Sequence, residues 1–238
     1  MSDFNDLKIK IFADGADKNG MVEMYNKPFI KGLTTNPTLM RKAGVTDYTI
    51  FCKEIISLLP NKPLSFEVFS DDFNEMKKQA LEISSWGVNV YVKIPITNTK
   101  GEYCYGLVES LVKKNVKVNV TAIMTVEQVK DISNVLDSSV SSYVSIFAGR
   151  IADTGRDPVP IIAKSVDILR VNSASEVIWA SSRELLNIFQ ADQVGCHIIT
   201  ITSEILNKLH MVGYDLNQYS LDTVKMFYTD AVKAGFRL

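Results

Sequence analysis

The sequence predicts an α/β fold, a single (β/α)8 barrel of the TIM type over residues 1–238 with an additional C-terminal helix. Eight short apolar runs alternate with stretches of helical periodicity, and the 238 residues contain no linker or low-complexity segment. The rival fold, a doubly wound open sheet, normally begins with a glycine-rich turn. The first turn here, FADGADKNG, lacks the G-x-G-x-x-G pattern, so the barrel is favoured.

The apolar runs are the predicted strands, and they cover residues 7–14, 28–36, 63–70, 88–97, 116–123, 142–149, 175–182 and 196–203. In the fourth run, VNVYVKIPIT, valine or isoleucine occupies every second position from 88 to 96. The alternate set contains Tyr91, Lys93 and Pro95. This period of two predicts a strand that carries an ammonium group in the middle of its second face.

Helices are predicted between these strands, over 17–27, 47–59, 71–87, 105–115, 125–137, 159–171 and 183–195. The segment 71–87 carries the expected boundary signals, because it opens on two aspartates and closes on glycine. A further helix is predicted within 220–238, where Val224, Phe227, Tyr228 and Val232 form an apolar stripe. We expect this stripe to pack on the barrel or on a neighbouring subunit.

Charge and composition argue against several classes of protein. The net charge is −1 and the basic residues are dispersed, so no nucleic-acid partner is expected. No apolar run reaches the ~20 residues that span a bilayer, and the first ten residues contain no apolar signal core. The three cysteines lie far apart, which fits a reducing compartment. The sequence therefore predicts a cytoplasmic protein without a membrane partner.

The alternation within each run also predicts which side chains point into the barrel. Positions expected to face inward are Ser65, Glu67, Phe69, Asn119, Thr121, Ser145 and Phe147, whereas Ala122 is expected to face the helices. The C-terminal halves of the runs collect polar residues: Asp14, Thr34, Asn36, Glu67, Lys93, Asn119, Thr121, Ser145 and Ser181. Barrel enzymes build their active sites at that end. A single inward Ser or Thr is more often a satisfied lumen group, but an inward Lys opposite an inward Glu indicates a functional site.

The chemistry that fits this set is nucleophilic catalysis by an amine. A lysine shielded from water can attack a carbonyl group and form a Schiff base, whose iminium then serves as an electron sink for carbon–carbon cleavage. Asp14 and Glu67 are the candidate acids and bases. The two histidines, His197 and His210, fall away from the set and are expected to be structural. Because no metal-ligand cluster is evident, no metal or cofactor is expected, and chelators should leave activity unchanged.

Several motifs resemble the transaldolase family, most closely the small subgroup that includes fructose-6-phosphate aldolase. The similarity extends from Asp14 to the C-terminal helix. GLTTNPTLM (32–40) is similar to the family's Gly-x-Thr-Thr-Asn-Pro signature, VKIPIT (92–97) to its Schiff-base strand and VNVTAIMT (118–125) to its Asn-x-Thr strand. SIFAGRIAD (145–153) resembles the phosphate-site strand, and WASSRE (179–184) resembles the Ala-Ser-x-Arg turn.

The resemblance implies a role for each site residue. Lys93 would be the Schiff-base nucleophile, and Asp14 would transfer the proton of the sugar hydroxyl at the cleaved bond. Glu67 and Thr121 would hold a catalytic water. The residues implied to bind substrate are Thr34, Asn36, Asn119 and Ser145 at the dihydroxyacetone unit, together with Phe147, and Arg150, Ser181 and Arg183 at the phosphate.

The activity implied is that of a transaldolase. It would transfer a dihydroxyacetone unit from sedoheptulose 7-phosphate or fructose 6-phosphate to glyceraldehyde 3-phosphate or erythrose 4-phosphate, as in the pentose phosphate pathway. Glu67 and Phe147 match the transferases, whereas the aldolase of the subgroup has Gln and Tyr there. A simple aldolase, a barrel acting on another anion-tipped ketose such as a sulfonated sugar, and a non-catalytic sugar-phosphate-binding barrel are the alternatives.

The expected partners are thus small sugar phosphates, and the resemblance to the small subgroup implies a homo-oligomer. Two departures from the family pattern concern the substrate. Ser182 stands where phenylalanine is frequent, which would alter the acceptor side. Arg156 is expected near the same rim, as a third cation for the anionic end of the sugar.

Overall fold

The protein is described by a computed structural model that covers residues 4–237, and its sheet contains eight strands. The strands are β1 (Lys10–Asp14), β2 (Ile30–Thr34), β3 (Leu64–Glu67), β4 (Val90–Pro95), β5 (Val118–Ile123), β6 (Ser142–Ile146), β7 (Ser175–Trp179) and β8 (Ile198–Thr202). Each strand pairs in parallel with the next in sequence, and β8 pairs in parallel with β1. The sheet is therefore a closed barrel, as the sequence predicts. Residues 1–3 of the predicted polar N-terminal segment, and Leu238, lie outside the described residues.

Eleven α-helices surround the barrel within residues 4–237. They are α1 (Lys18–Asn26), α2 (Pro37–Lys42), α3 (Tyr48–Leu58), α4 (Phe73–Ser85), α5 (Tyr105–Val112), α6 (Val126–Ser133), α7 (Ala148–Ala152), α8 (Val159–Leu169), α9 (Leu186–Gln193), α10 (Ser203–Leu206) and α11 (Leu216–Lys233). Short 3-10 helices occupy Phe4–Asp6 and Leu209–Met211. The sequence did not predict α2, α7 and α10, because four to six residues are too few to show helical periodicity.

Aspartates fix where several helices begin. Asp17, Asp47 and Asp72 precede α1, α3 and α4, and each side chain accepts a hydrogen bond from a backbone N–H in the first helical turn. Such caps satisfy N–H groups that have no partner within the helix. The start of these three helices is thus fixed locally, by the side chain that precedes each of them.

The barrel has two cores. Apolar residues on the outer strand faces pack against the helices, and a separate inner cluster contains Phe12, Tyr91 and Tyr143. The Tyr91 and Tyr143 rings stack with centroids 4.0 Å apart, and Phe12 meets Tyr143 edge-on. Gly32 has no room for a side chain, since a Cβ there would lie 2.5 Å from the Phe12 ring. These aromatic rings fill the lumen, so the opening at the barrel mouth is a pocket that is closed at its inner end.

Two predicted side-chain directions are wrong at strand ends. Phe69 was expected inside the barrel, but β3 ends at Glu67, and the Phe69 ring is 62% exposed and lies edge-on to Tyr48. Val88 was placed on the apolar face of the fourth strand, but β4 begins at Val90 and Val88 is 89% exposed. Alternation predicts direction only while the chain is extended and paired.

The C-terminal helix does not pack on the barrel. No residue of α11 is buried, and the apolar stripe is open to solvent, with Phe227 63% and Tyr228 73% exposed. The helix is long, and its start is capped by Asp215, whose side chain accepts from the Gln218 N–H. The sequence predicted that the stripe packs on the barrel or on a neighbouring subunit. The prediction that it packs on the barrel of the same chain is therefore wrong. Within residues 4–237, no helix combines the length and the apolar character needed to cross a bilayer.

Candidate active site

A cavity of about 460 Å³ opens at the C-terminal ends of the strands. It is lined by all twelve residues to which the family resemblance gives a catalytic or substrate-binding role: Asp14, Thr34, Asn36, Glu67, Lys93, Asn119, Thr121, Ser145, Phe147, Arg150, Ser181 and Arg183. These residues come from seven strands or the turns that follow them. The barrel topology therefore brings together side chains that are spread over 170 positions of sequence.

Lys93 is almost fully buried and lines this cavity. Its Nζ donates to the Thr35 carbonyl oxygen at 2.8 Å and lies 3.1 Å from Glu67 Oε2. Strand register sets this contact, because Glu67 and Lys93 are Cα partners on β3 and β4. The amine thus has two protein partners within a water-poor site, and one of them is a carboxylate that can exchange a proton with it.

Asp14 is the second carboxylate of the cavity, and it is half-buried at the end of β1. Burial raises the pKa of Asp14; the positive charge of Lys93 and a hydrogen bond from Thr34 oppose that rise, and Glu67 reinforces it. Thr34 Oγ1 donates to Asp14 Oδ1 at 2.8 Å. A raised pKa makes this carboxyl group easier to protonate than an ordinary aspartate, which suits a role in proton transfer.

A network of neutral side chains lines the opposite wall. Asn119 is fully buried; its Nδ2 donates to Ser65 Oγ at 3.1 Å, and its Oδ1 accepts from Ser145 Oγ at 2.7 Å. These bonds fix which edge of the amide faces which neighbour. Thr121 Oγ1, by contrast, is buried and has no hydrogen-bond partner among residues 4–237. Since a buried hydroxyl is normally paired, a water or a ligand in the cavity is its natural partner.

Asn36 serves both the fold and the cavity. Its Oδ1 accepts from the Leu39 N–H at 3.0 Å and so caps α2, which Pro37 opens. Proline suits that first helical position because its missing N–H would have no partner there. The cap holds the Asn36 side chain at the rim, where its amide group lines the cavity.

The backbone is strained at two positions of the cavity wall. Ala122 and Ser181 adopt positive φ, 62° and 61°, which side-chain-bearing residues rarely do. The Ala122 kink coincides with a register shift between Val120 and Ile123 of β5 against β6. Ala122, predicted to face the helices, packs against the outer core and also lines the cavity, and Ile123 is buried in the outer core. The extra residue of this bulge breaks the period of two.

The two predicted phosphate-site arginines converge because of a glycine. Gly149 in α7 packs on the turn after β7 so closely that a Cβ would lie 1.7 Å from the Ser181 carbonyl oxygen and 3.1 Å from Arg183 Nε. Only glycine allows this approach, which brings Arg150 and Arg183 to one side of the mouth. Arg183 forms a two-pronged ion pair with Asp153 (Nε to Oδ1 at 3.1 Å, with a second contact from the terminal nitrogen). The Arg183 hydrogen bonds, helped by the charges of Arg183 and Arg150, hold the pKa of Asp153 below its usual range.

Arg156 does not line this cavity. It lies in a separate groove of about 710 Å³ between α6 and α8, together with Lys130 and Lys164, and it donates to Thr154 Oγ1 at 2.9 Å. That groove is larger, but its exposed surface is mostly apolar and it lies between helices, away from the strand ends where barrel enzymes build their sites, so it is the weaker candidate for chemistry. The expectation that Arg156 shares the rim with the other two arginines is therefore wrong. Among residues 4–237, no three His, Cys, Asp or Glu side chains come together in a way that could hold a metal ion.

Sequence reasoning missed the contribution of the eighth strand. Thr200 and Thr202 line the cavity, and Thr200 Oγ1 lies 2.5 Å from Thr34 Oγ1. The signal was present in the alternation of Thr with Ile in IITIT, but each Thr alone resembles an ordinary strand residue. Ser182 also lines the cavity, where its Oγ donates to the Thr200 carbonyl oxygen at 3.0 Å. His197 lies outside the cavity, and its Nδ1 accepts from the Val177 N–H.

Comparison with known proteins adds an independent finding. The model of the transaldolase/fructose-6-phosphate aldolase family matches residues 11–238. A probable transaldolase of Dehalococcoides mccartyi is 35% identical over 202 residues, which cover 84% of this chain and 90% of the relative. A probable transaldolase of Thermoanaerobacter sp. is 33% identical over 233 residues, or 97% of this chain and 100% of the relative. One from Methanococcus maripaludis is 33% identical over 202 residues, covering 84% and 89%.

Proposed function

The chain belongs to the transaldolase/fructose-6-phosphate aldolase family, and from this premise we propose that it is a transaldolase that works through a Schiff base on Lys93. The donor would be sedoheptulose 7-phosphate or fructose 6-phosphate, and the acceptor glyceraldehyde 3-phosphate or erythrose 4-phosphate, the sugars of the pentose phosphate pathway. The observation that carries the proposal is the buried Lys93 amine, 3.1 Å from Glu67 in a polar cavity at the barrel mouth.

The first half of the reaction breaks the donor. The neutral Lys93 amine attacks the ketone carbon, and loss of water from the carbinolamine gives an iminium. The Asp14 carboxylate takes the proton of the hydroxyl group on the far carbon of the bond to be broken, the carbon that becomes the aldehyde of the leaving sugar. That bond breaks, its electron pair moves into the iminium to give an enamine, and an aldose phosphate leaves. Asp14 lines the cavity and has a raised pKa, and both features support this role in proton transfer.

The second half rebuilds a ketose on the acceptor. The enamine carbon attacks the acceptor aldehyde, and the new oxygen anion takes back the proton that Asp14 holds. Water then hydrolyses the iminium and frees the lysine. Glu67 is close enough to Nζ to pass protons during the hydration steps, and Thr121 has an unpaired hydroxyl with which to hold the water. Asn119 and Ser145, fixed by their mutual hydrogen bond, would bind the hydroxyl groups of the donor unit.

Transfer is favoured over simple aldol cleavage by the residue at 147. An aldolase must protonate and hydrolyse the enamine that a transferase keeps for the acceptor. Phe147 lines the cavity and packs on the inner aromatic cluster, and its ring has no hydroxyl with which to place a water or relay a proton to the enamine. Release of free dihydroxyacetone should therefore be slow relative to transfer.

The experiment that tests this function compares cleavage with and without an acceptor. We expect cleavage of fructose 6-phosphate to be weak alone and to rise at least about tenfold with erythrose 4-phosphate, and Phe147→Tyr to raise the acceptor-independent rate. The matched control is Phe69→Tyr, an exposed ring outside the cavity, which should change neither rate. If the unmodified protein releases dihydroxyacetone equally fast without acceptor, the aldolase alternative is correct.

The three cysteines support a cytoplasmic location, which is part of the proposal. Cys52, Cys104 and Cys196 are free and buried, and burial raises the pKa of each thiol to about 12. Buried thiols of this kind are poor nucleophiles. Because the three cysteines form no disulfide with one another, the fold does not depend on an oxidising compartment. Fractionation of the cells that make the protein would place the activity in another compartment if this part of the proposal is wrong.

We also propose that the protein is a homo-oligomer in which α11 packs on a second copy. The apolar stripe of this helix is exposed along its length, and monomeric proteins rarely expose a contiguous apolar surface of this kind. A helix with apolar residues at 224, 227, 228 and 232 buries one face when it finds a matching groove.

Light scattering on the purified protein tests this arrangement. We expect a mass of several chains for the unmodified protein, and dissociation when Phe227→Asp places a charge in the stripe. Thr229→Asp, which lies on the far side of the same helix, is the matched control and should keep the assembly. A monomeric unmodified protein, or equal dissociation by both variants, would contradict the proposal.

A further inference from the structure

We infer that Thr200 is a positioning residue for proton transfer, because it holds the Thr34 hydroxyl in the orientation that serves the Asp14 carboxylate. The inference rests on the proposed function, in which Asp14 carries the proton of the sugar hydroxyl group. Thr200 would not touch the reacting atoms, and it would act through Thr34. Its effect should therefore show in the pH dependence of the reaction.

The three side chains form one chain of hydrogen bonds across three adjacent strands. β1 lies between β2 and β8 in the barrel, so side chains of both neighbouring strands can reach the space beside Asp14. Thr34 on β2 donates to Asp14 Oδ1 at 2.8 Å, and Thr200 Oγ1 on β8 lies 2.5 Å from Thr34 Oγ1. Both threonines are buried, so bulk water does not compete for these contacts.

Proton counting decides the direction of the chain. A threonine hydroxyl has a single proton. The Thr34 hydroxyl uses that proton to donate a hydrogen bond to the ionised Asp14. The short contact between Thr34 and Thr200 is therefore a hydrogen bond only if Thr200 is the donor. Thr200 thereby occupies a lone pair of Thr34 and prevents the hydroxyl from turning away, and each bond of such a chain strengthens the next.

The surrounding charges explain why this support matters. Lys93 on β4 favours the ionised state of Asp14 and Glu67 on β3 opposes it, and within residues 4–237 these are the charged groups that act on it. Burial raises the pKa of Asp14, and a hydrogen bond donated to its ionised form opposes that rise. Thr34 donates the hydrogen bond to the carboxylate, and Thr200 holds the Thr34 hydroxyl in the orientation that this bond requires.

Three variants test the inference. Thr200→Val removes the hydroxyl with little change of shape, so the carboxylate is less well stabilised and its pKa rises. We expect the acid limb of the kcat/KM profile to move up by about half a pH unit to one pH unit. Thr200→Ser keeps the hydroxyl and should restore the original limb. Thr49→Val, the same change in α3 and outside the cavity, should leave the limb in place.

A second readout is independent of activity. The carboxyl ¹³C resonance of Asp14, assigned by its loss in Asp14→Asn, should titrate at higher pH in Thr200→Val than in the unmodified protein. If Thr200→Val does not fold, Thr200→Ala is measured in its place. A coincident titration, or a shift in Thr200→Ser as large as that in Thr200→Val, overturns the inference.

Trapping with free dihydroxyacetone separates this outcome from failure of the proposed function. Imine formation on Lys93 does not need Asp14 to move a sugar proton, so borohydride should label the unmodified protein and Thr200→Val alike. An unlabelled but folded unmodified protein contradicts the proposed function, and the Asp14 titration still decides the role of Thr200. Labelling with an unmoved titration contradicts the role of Thr200 alone.

Discussion

Borohydride added together with a ketose phosphate is expected to fix the three-carbon donor unit on Lys93. Reduction converts the iminium between the amine and the sugar into a stable secondary amine, so the label survives digestion and mass spectrometry. Lys93 is the lysine that lines the cavity among residues 4–237, and its Nζ faces Glu67 there. The label should therefore fall on the peptide that contains VYVKIPI, in proportion to the activity lost.

Replacement of this lysine should have the largest effect of any single change. We expect Lys93→Met to lower kcat/KM on the order of a thousandfold or more, because no other group in the cavity can form the iminium. Methionine fills a similar volume, and Glu67, with its side chain 17% exposed, can still reach water, so the variant should fold. Circular dichroism and thermal unfolding check that point.

Lys117→Met is the matched control for the trapping experiment. Lys117 lies outside the cavity, with its Nζ 5.6 Å from the centre of the Tyr91 ring, and its loss should leave both label and activity in place. EDTA in the same assay should have no effect, and strong inhibition that added metal reverses would contradict the metal-free mechanism. A label on a different lysine, or full activity without any label, would contradict the assignment of Lys93.

The barrel and the inward face of β4 could be predicted from the sequence because both follow from backbone geometry. Successive strand side chains point to opposite faces, so the valines and isoleucines of VNVYVKIPIT fix the direction of Lys93. Parallel register then places Glu67 beside it. Closure of eight strands brings their C-terminal ends to one mouth, which is why Asp14 and Ser181 line the same cavity.

The errors arise where the backbone leaves that regular geometry. Alternation does not show where a strand ends, so Phe69 was assigned to a strand that stops two residues earlier. It does not show a bulge either: Ala122, which has a positive φ, lines the cavity as well as packing on the outer core, and only the second contact was expected. Gly155 illustrates the same limit: it has a positive φ of 77°, and Arg156, which follows it, lies in another groove.

The role of Thr200 and the packing partner of α11 were beyond sequence reasoning for a different reason. A Thr in a β-strand fits ordinary strand preference, and only the 2.5 Å contact with Thr34 marks this one as part of the site. The stripe of α11 indicates a partner but does not identify it, because an apolar face of this width fits a barrel as well as a second copy. Tertiary contacts decide such cases.

The arginines at the mouth should decide how strongly the protein uses phosphorylated sugars. Arg150 has no ion-pair partner within 4 Å among residues 4–237, whereas Arg183 is forked onto Asp153 and must share its guanidinium with the substrate. A hydrogen bond to a charged group typically contributes about 1.5–3 kcal/mol. We therefore expect Arg150→Ala and Arg183→Ala each to lower kcat/KM for fructose 6-phosphate by about ten- to a hundredfold.

A comparison of fructose 6-phosphate with free dihydroxyacetone tests whether the two arginines bind phosphate. Free dihydroxyacetone has no phosphate, so the rate at which borohydride traps it on Lys93 should change far less in either arginine variant. Arg156→Ala is the matched control, since it removes a nearby guanidinium that lies in the groove between α6 and α8 and should leave both substrates unaffected. Because Arg183 packs closely on Gly149 of α7, Arg183→Ala also removes packing at the rim, and thermal unfolding measures the resulting loss of stability. Equal losses on fructose 6-phosphate and on dihydroxyacetone would mean that these arginines support the fold of the rim and do not bind phosphate.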